Sequence, residues 1–331
     1  MTAYTVVIPT RARAPLADCL AALAAAKGPA PAEIVLVDDR PEPGPAPLEH
    51  PLSVLGDLRE RTTVLRGAGS GPAARNAGLR AARTPWVVLL DDGVQVGPHW
   101  GEQLADDLAD ATPDTAGVQG VLAVPLPGGR RPTDWERTTA GLARARWITA
   151  DMAYRTEALK QAGGFDERFC HPFREDTDLA LRLLDAGWRI RQGRRTTRRP
   201  VPSAGRWESL RAERGNADDA LMRRLHGPDW RHRAFAPRGR IRSHLATTAA
   251  GLAAGAYAVS GHRRSAAAAA LGWALGTGAF AWARIAPGPR TGHEVATVLA
   301  TSVLVPPVAA WHRINGIWRH RRAAPWQEVA P

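Results

Sequence analysis

The chain has 331 residues, which is long enough for one sizeable domain with a smaller one, or for two domains. Its formal net charge is +12, and because Lys27 and Lys160 are its only lysines, nearly all of the positive charge is arginine. That charge suits an anionic partner, but arginine here accompanies abundant alanine, glycine and proline, a pattern typical of coding bias, so charge alone assigns no partner. Cys19 and Cys170 form neither a disulfide framework nor a zinc pattern, and the N-terminus shows no signal-peptide pattern, so we expect a cytoplasmic protein.

Apolar strands alternate with an alanine-rich helix at the start of the chain, which favours a parallel α/β sheet. The predicted elements are a strand at 4–8, a helix at 16–26, a strand at 33–39 and a short strand at 64–65. Pro9 is expected to end the first strand, because proline cannot donate a hydrogen bond to a central ladder. The second strand closes with two acids, Asp38 and Asp39.

A glycine-rich loop at 67–71 is predicted to open the next helix. Pro72 suits the first helical position, where its missing N–H leaves no bond unmade. Free N–H groups at such a helix start suit a diphosphate, and Arg75 adds a fork-shaped donor for phosphate oxygens. An ordinary glycine loop is the alternative. The segment matches neither the dinucleotide fingerprint nor the P-loop pattern, which sets a P-loop nucleotide hydrolase aside.

Residues 84–93 predict a strand buried on both faces that ends in two acids, Asp91 and Asp92. Ligands of open α/β sheets bind beyond the carboxyl ends of the strands. Two carboxylates at that edge suit a hard divalent cation that bridges them to substrate phosphates. Taken alone, the pair is better explained as a polar turn after a core strand.

The following elements continue the α/β pattern as far as a final acidic helix. They are a helix at 98–108, a strand at 118–124, a flexible flap at 125–133, a strand at 147–154 and a helix from 157 to the glycine stop at 163–164. Glu175, Asp176 and Asp178 then lie in the first turn of the last helix. Acids there are stabilised by the helix dipole, by about 0.3–1 kcal/mol each. A cluster of carboxylates also raises proton affinity towards that of a general base, although the residues alone favour the dipole explanation.

The order of these segments resembles the family 2 glycosyltransferases, which are inverting nucleotide-sugar enzymes with the GT-A fold. The matching stretches are 6–11, 35–39, 74–79, 89–92, 152–155, 163–167 and 175–179. They cover roughly the first 190 residues, and they are specific together although each is weak alone. The resemblance implies an α/β fold of the GT-A, Rossmann-like kind, with a mostly parallel sheet flanked by helices.

The resemblance also implies where the nucleoside of a nucleotide-diphosphate sugar would bind. Pro9, Thr10 and Arg11 would line the nucleoside pocket. One of Asp38 or Asp39 would hydrogen-bond the base or the ribose.

For the diphosphate and a metal, the resemblance implies a second group of residues. Arg75 and Asn76 would approach the base or the diphosphate. Asp91 and Asp92 stand where the family carries its acidic motif, so they would bind Mn²⁺ or Mg²⁺, and Asp91 would also contact the donor. The family motif usually has an acid at the position of Gly93, and its loss puts the metal in question.

The catalytic base implied by the resemblance is Asp176, with Glu175 beside it. Inverting transfer needs a base that takes the proton of the acceptor hydroxyl, together with stabilisation of the departing diphosphate. Asp151 departs from the family, which more often has a neutral polar residue there. Asp151 and Trp147 are candidates for contact with the acceptor, and a solvated strand end is the alternative for Asp151.

The last third of the chain lies outside the resemblance. Residues 189–242 are dense in arginine, and a solvated surface stretch explains them at least as well as a binding patch. Three alanine- and glycine-rich apolar segments follow at 245–259, 265–283 and 295–311, and the Pro306-Pro307 pair is expected to break the third. We expect a helical appendage that packs on the catalytic domain or lies on an anionic membrane surface, with true spanning as the minor alternative.

The sequence as a whole predicts three regions: a transferase domain at 1–205, an arginine-rich connector at 206–242 and a helical C-terminal region at 243–331. The predicted function is inverting sugar transfer to a hydroxyl of a glycan or glycolipid in cell-surface synthesis, in the cytoplasm or at the inner face of the plasma membrane, with no nucleic-acid partner. One alternative is a degenerate, non-catalytic module that binds an anionic polymer or membrane. A sugar nucleotidyltransferase is a weaker alternative, because residues 9–13 contain neither the glycine nor the lysine that its first loop needs.

Overall fold

The computed structural model describes residues 2–40, 48–67, 69, 71–170 and 173–325. Within these residues the chain forms two compact units. The first unit contains residues up to 125 together with 141–202, and the second contains 126–140 together with 203–325. Residues 206–242, which the sequence predicts as a connector, therefore belong to the second unit.

Eight strands form one mixed sheet in the first unit. They are β1 (Tyr4–Thr10), β2 (Glu33–Asp38), β3 (Thr62–Arg66), β4 (Trp86–Leu90), β5 (Gln95–Val96), β6 (Thr115–Ala123), β7 (Asp151–Arg155) and β8 (Arg189–Arg198). Their order across the sheet is β3-β2-β1-β4-β7-β6-β8-β5.

The helices follow the strands in chain order and then fill the C-terminal third. They are α1 (Pro15–Ala25), α2 (Glu49–Ser53), α3 (Gly71–Ala81), α4 (Trp100–Ala109), α5 (Asp134–Ala140), α6 (Thr156–Gln161), α7 (Glu175–Asp185), α8 (Glu208–Ala212), α9 (Gly215–His226), α10 (Trp230–Arg233), α11 (Ile241–Val259), α12 (Arg263–Ile285) and α13 (Gly292–Arg319). Short 3₁₀ helices occupy Gly56–Arg61 and Gly141–Arg144.

Strand direction brings several strand ends to one edge of the sheet. β1, β2, β3 and β4 run parallel to one another, and β6 runs parallel to β8. β7 is antiparallel to both β4 and β6, so β4, β6 and β8 all point the same way. The residues that follow β1, β2, β4 and β8 therefore meet at the carboxyl edge, where open α/β sheets bind ligands.

The central strands are buried because they are continuous runs of apolar residues. β4 has no residue above 2% exposure, and the apolar residues of β1 and β2 are also buried except Pro9, which is partly exposed. Gly78 in α3 allows that helix to approach β1 closely, since a Cβ there would collide with the side chain of Val7. Such two-sided burial is what parallel strands covered by helices require.

Pro9 does not end β1, which continues to Thr10. The main-chain oxygen of Thr10 accepts a hydrogen bond from the Asp39 N–H, so the backbone polar groups of Thr10 point towards β2. Those of the preceding residue, Pro9, therefore point towards β4. Pairing of β1 with β4 ends at Val7, so the missing N–H of Pro9 leaves no ladder bond unmade. The prediction that Pro9 ends the strand was wrong because Pro9 lies beyond the segment of β1 that pairs with β4.

Two other predicted elements differ from the structure. The strand predicted at 147–154 begins only at Asp151, because residues 147–150 form a turn in which Trp147 has φ 63°. The arginine-rich stretch contains β8, in which Gly193, Arg195 and Thr197 are buried while their neighbours are more exposed. This alternation is that of a strand with one buried face, so residues 189–198 are not a solvated surface stretch.

In the second unit, α11, α12 and α13 are the predicted helical C-terminal region. Gly251 lets α11 approach α12, because a Cβ there would lie 2.9 Å from Cδ1 of Trp273. Pro306-Pro307 lie inside α13 without ending it. A proline in a helix interior typically destabilises it by about 3 kcal/mol. Burial of Val305, Ala309 and Ala310 offsets that penalty.

Two of these helices are long and apolar enough to cross a membrane by length and composition. They are α12 and α13, whose most apolar windows have mean hydropathies of 1.3 and 1.5. The α12 window is almost entirely exposed, whereas about two-fifths of the α13 window is buried. Leu271, Leu275 and Trp282 of α12 are apolar residues that are each at least 60% exposed.

Candidate active site

Asp91, the first residue after β4, sits between two arginines. Its Oδ1 lies 3.5 Å from Nη2 of Arg75, and its Oδ2 accepts a 2.7 Å hydrogen bond from Nη1 of Arg199. Burial alone would raise the pKa of Asp91, but the Arg199 and Arg75 guanidiniums outweigh burial and lower it. The carboxylate is therefore ionised and held by two positive groups, while a quarter of its side chain remains exposed.

Asp92 faces the other way and joins β4 to the end of β1. Its Oδ2 accepts from the Thr10 hydroxyl at 2.8 Å, and its Oδ1 accepts from Nη2 of Arg13 at 2.7 Å. The Arg11 N–H is a third, longer donor at 3.4 Å. The Asp92 side chain is only 4% exposed, so its carboxylate is committed to contacts within the protein.

A divalent cation at Asp91 and Asp92 does not fit these contacts. Both carboxylates are already in contact with arginines, and Gly93 supplies no third acid. Across the described ranges, no three His, Cys, Asp or Glu side chains are grouped to hold a metal. Such a cation takes one or two protein carboxylates and completes its shell with water and substrate phosphates, but here arginines contact the carboxylate oxygens that it would use, so the predicted Mn²⁺ or Mg²⁺ site is not supported by these contacts.

Asp38, the last residue of β2, and Asp39, which follows it, also have different partners. Asp38 accepts from Nε and Nη2 of Arg40, at 2.9 and 2.7 Å, and these bonds lower its pKa. Asp39 instead accepts a 2.8 Å bond from the Gly69 N–H, and its Oδ2 lies 3.6 Å from Nη2 of Arg11. Asp39 thus links the end of β2 to the glycine loop, and Ala68 and Ser70 of that loop lie outside the described residues.

The main charged bridge of the site runs from α3 to the start of α7. Nη1 of Arg75 donates to Oε1 of Glu175 at 2.8 Å, and Arg75 packs 5.6 Å from the ring centroid of Phe165. Arg75 therefore contacts acids at the end of β4 and at the start of α7. Within the described chain, Arg75 Nε and Glu175 Oε2 are buried and make no hydrogen bond.

Asp176 lies beside this pair but is bound differently. Its Oδ1 accepts from the N–H of Thr177 at 2.7 Å, and it is less enclosed than Glu175. Burial raises the pKa of both carboxyl groups above their ordinary values, although the Arg75 guanidinium opposes the shift. Arg174, just before α7, has φ 76°, a left-handed conformation that is strained for an arginine and often found at functional sites.

Asn76 has contacts that tie α3 to the loop before α7. Its Oδ1 accepts from the Phe165 N–H at 2.8 Å, and its Nδ2 donates to the Phe165 oxygen and to Oε1 of Glu167. Gly164 is needed here, since it has φ 77° and a Cβ would lie 2.7 Å from the Asn76 oxygen. These bonds occupy both ends of the amide within the protein, and contact of Asn76 with the base or the diphosphate stays a prediction.

Asp151 is not a solvated strand end, so that alternative was wrong, and contact of Asp151 with an acceptor stays a prediction. It is 2% exposed, and its Oδ1 accepts from Nε of Arg195 at 2.8 Å. Its Oδ2 accepts from Nε1 of Trp100 at 2.9 Å and from the Thr197 hydroxyl. Arg195 also pairs with Asp107 at 2.9 Å, so Asp151 belongs to a buried ionic network that joins β7, β8 and α4.

Trp147, the second predicted acceptor residue, is 7% exposed. Its main-chain N–H donates to Oε1 of Gln119, and Nε2 of Gln119 donates to the Ala145 oxygen at 3.0 Å. Gln119 thereby holds the turn in which Trp147 adopts its left-handed conformation. Contact of Trp147 with an acceptor stays a prediction.

Arg199 and Tyr154 are site residues that the sequence did not single out. Arg199 directly follows β8, so the direction of that strand brings it to the same edge as Asp91. The sequence placed Arg199 only within an arginine-rich run, in which no strand was predicted. The Tyr154 hydroxyl is buried without a hydrogen-bond partner in the described ranges, and burial, with the Asp176 carboxylate, raises its pKa.

Comparison with known proteins identifies the family. The model of the family described as "Glycosyl transferase family 2" matches residues 5–173, just over half of the chain. The chain belongs to glycosyl transferase family 2. The match covers every site residue at the ends of β1, β2 and β4, and it ends just before α7 and well before Arg199.

One named relative matches part of this glycosyltransferase. The pre-mycofactocin glycosyltransferase of Mycobacterium tuberculosis, found in two strains, is 32% identical over 136 residues. That match covers 37% of this chain and 28% of the relative. The chain thus spans less than a third of the length of the relatives it matches.

Solved structures are similar over a larger part of the glycosyltransferase. The mannosyltransferase PcManGT from Pyrobaculum calidifontis, in complex with GDP-Man and Mn²⁺, has a TM-score of 0.55 and 20% identity, covering 96% of this chain and 88% of that chain. GalNAc-T7 with UDP, GalNAc and Mn²⁺ has a TM-score of 0.46 and 17% identity, covering 60% and 44%. The first similarity confirms the predicted α/β, GT-A-like class with a mixed, mostly parallel sheet and a C-terminal helical region.

Proposed function

We propose that this glycosyltransferase moves a sugar from a nucleotide-diphosphate donor to an acceptor hydroxyl with inversion. The observation that carries the proposal is the position of Arg75, which contacts both Asp91 at the sheet edge and Glu175 beside Asp176. A fixed guanidinium there lies between the end of a strand, where a donor diphosphate would bind, and a carboxylate suited to act as base.

Asp176 suits the role of base better than Glu175. Glu175 is 3% exposed and paired with Arg75, so its main effect is to fix the arginine. Asp176 keeps more contact with solvent and bonds to its neighbour Thr177. A raised pKa makes its carboxylate a stronger base than an ordinary aspartate, which favours proton removal from a hydroxyl.

The proposed reaction is a single displacement at the anomeric carbon. The acceptor oxygen forms a bond to that carbon as the bond to the diphosphate oxygen breaks, and the diphosphate leaves with the bonding electrons. Asp176 takes the proton of the acceptor hydroxyl. Arg75 and Arg199, whose guanidiniums meet at Asp91, would compensate the charge that develops on the diphosphate.

The donor would approach along the edge where β1 and β2 end. Asp39, held by the Gly69 N–H, is better placed for the base or ribose than Asp38, which Arg40 occupies. Arg11 is more than half exposed and lies near Asp39, so it remains a candidate for the nucleoside pocket. Pro9 and Thr10 would contribute backbone to the pocket, because the Thr10 hydroxyl is bonded to Asp92.

The proposed acceptor is a hydroxyl of a glycan or glycolipid at a membrane surface. The support is the exposed apolar length of α12 together with arginines on both sides of the helical region, such as Arg263, Arg264 and Arg319. Basic residues beside apolar helices bind anionic headgroups. We therefore propose action at the inner face of a membrane in cell-surface synthesis.

A panel of UDP- and GDP-sugars tests the function directly. We expect at least one to raise the melting temperature and to be consumed when a glycan or glycolipid acceptor is added, with the anomeric configuration of the product inverted by NMR. Retention of configuration would contradict the single displacement. Stabilisation without transfer to any acceptor would favour the non-catalytic module, and transfer of a nucleotidyl group would favour the nucleotidyltransferase.

A further inference from the structure

The contacts of Asp91 and Asp92 bear on how the donor diphosphate is held. The Asp92 oxygens are bound by Thr10 and Arg13, and the Asp91 oxygens face Arg75 and Arg199. A divalent cation and a guanidinium compete for the same carboxylate oxygens. Two fixed positive groups beside Asp91 also repel a cation, and this repulsion is strong where water is partly excluded.

We propose that this protein binds the diphosphate of its donor through the guanidiniums of Arg75 and Arg199 and needs no divalent cation for that binding. The inference rests on the proposed function and deepens it, because it names the groups that hold the leaving diphosphate. Asp91 is then a positioning residue, which orients two arginines at the sheet edge.

The geometry of the two arginines suits this role. A guanidinium has five N–H donors in a planar fork that matches paired phosphate oxygens. Arg199 donates one Nη1 hydrogen bond to Asp91 and is 21% exposed, so a ligand can reach it. Arg75 is buried, and its Nε makes no hydrogen bond in the part of the chain described here. A diphosphate that binds at this edge would accept hydrogen bonds from the same guanidinium groups of Arg75 and Arg199 that now contact Asp91.

Gly93 supports the same inference. In this chain the position that would complete an acidic triplet has no side chain, although nothing prevents one. A Cβ at Gly93 would meet no atom within 4 Å, and its backbone is not left-handed. The missing acid is therefore not imposed by the fold, and it agrees with a site in which arginines replace the cation.

The test measures UDP and GDP binding by calorimetry in EDTA and in Mn²⁺. We expect the wild-type Kd for whichever diphosphate binds to change by less than about threefold between the two conditions. Arg199→Ala should weaken that binding roughly tenfold or more, because charge-assisted hydrogen bonds are lost. Arg199→Lys keeps the positive charge but loses the planar guanidinium, so its Kd for the diphosphate should lie between those of the wild type and Arg199→Ala. Arg189→Ala is the matched control, since Arg189 is the first residue of β8, the strand that Arg199 follows, and it is 78% exposed and pairs with Asp114.

A second measurement adds Mn²⁺ alone and follows its free signal by electron paramagnetic resonance. We expect no stoichiometric binding to the wild type, and Mn²⁺-dependent diphosphate binding in the double variant Gly93→Asp with Arg199→Ala. Stoichiometric Mn²⁺ binding to the wild type, or failure of the double variant to become Mn²⁺-dependent, would contradict the replacement of a cation by Arg199. An unchanged melting temperature shows that a variant has folded.

The outcomes separate this inference from the proposed function. Diphosphate binding that requires Mn²⁺ would overturn the inference and leave the function standing. Binding of neither diphosphate in either condition would overturn both. Unchanged binding in Arg199→Ala, at an unchanged melting temperature, would remove Arg199 from the diphosphate site.

Discussion

Arg75 pairs with Glu175 at 2.8 Å, although the two residues are 100 positions apart in the chain. This pair joins α3, which follows the glycine loop, to α7, which carries the proposed base. The same guanidinium lies 3.5 Å from Asp91. One side chain thus sets the relative positions of the three segments from which the proposed site is built.

Removing Arg75 is expected to destabilise the fold as well as the site. Arg75→Ala leaves Glu175 buried without its hydrogen-bond donor, and above about pH 8, where Glu175 is ionised, loss of one member of a buried ion pair typically lowers the free energy of unfolding by about 3–5 kcal/mol. Arg75→Met combined with Glu175→Leu should recover much of that loss without recovering activity. Urea unfolding of the three proteins measures the effect, and equal stabilities would contradict a structural role for the pair.

The raised pKa of Asp176 predicts a displaced acid limb in the pH–rate profile. The base must be ionised, so kcat/KM should fall as pH decreases through a pKa above the ordinary aspartate range. The measurement is kcat/KM between pH 5 and 9 at constant ionic strength. A kcat/KM that stays level down to pH 5 would contradict the raised pKa of Asp176.

The raised pKa of Glu175 predicts a contribution to folding stability that decreases as pH rises, whereas most acids in folded proteins contribute more stability as pH rises. Burial raises its pKa from 4.5 to about 8, so the folded state binds the proton more tightly than the unfolded state. The stabilisation by that proton is present below pH 4.5 and is lost as pH rises to about 8. Glu175→Gln should reduce this loss, which urea unfolding at pH 5 and pH 8.5 would measure. The same pH slope in both proteins would contradict the assignment.

The network of Asp107, Asp151 and Arg195 is expected to be structural. Arg195→Ala leaves two buried carboxylates without their shared partner, so we expect a loss of about 3–5 kcal/mol or failure to fold. Arg194→Ala is the matched control, because Arg194 pairs with Asp110 at the surface, where ion pairs contribute about 0–1 kcal/mol. Thermal unfolding compares the two, and a loss in Arg195→Ala no larger than in the control would contradict the role of the network.

Membrane association is testable through α12. Replacing both Leu271 and Leu275 by serine removes apolar area that is mostly exposed, since the two residues are 60% and 65% exposed. We expect weaker co-sedimentation with vesicles of anionic phospholipid and little change in melting temperature. Undiminished binding would place any membrane contact elsewhere in the chain.

Much of the fold could be predicted because its signals are local. β1, β2 and β4 are largely continuous apolar runs, and Leu16, Leu20 and Leu23 of α1 lie on one stripe at helical spacing. The boundaries that failed depended on partners distant in sequence. Pro9 continues a strand because β4 has already separated from β1, and Trp147 lies in a turn held by Gln119 from another strand.

The site was predicted less completely, because the spacing of residues in the sequence does not show which charged side chains pair with one another. Asp91 and Asp92 are adjacent in sequence, yet one faces Arg199 and the other faces Thr10. Arg195 and Arg199 looked alike within an arginine-rich run, although one is buried in an ionic network and the other lies at the sheet edge. The partners of these residues lie on other strands and helices, and the sequence does not display which of them meet in the fold.

The most direct test of the proposed transferase is Asp176→Asn, with Asp185→Asn at the exposed end of the same helix as its control. The asparagine keeps the shape of the side chain and cannot take a proton, so turnover should fall by at least about 100-fold. The Kd for the donor should stay within about threefold of the wild-type value, because Asp176 does not hold the diphosphate. Turnover of Asp176→Asn equal to that of the Asp185→Asn control would contradict the assignment of Asp176 as the base.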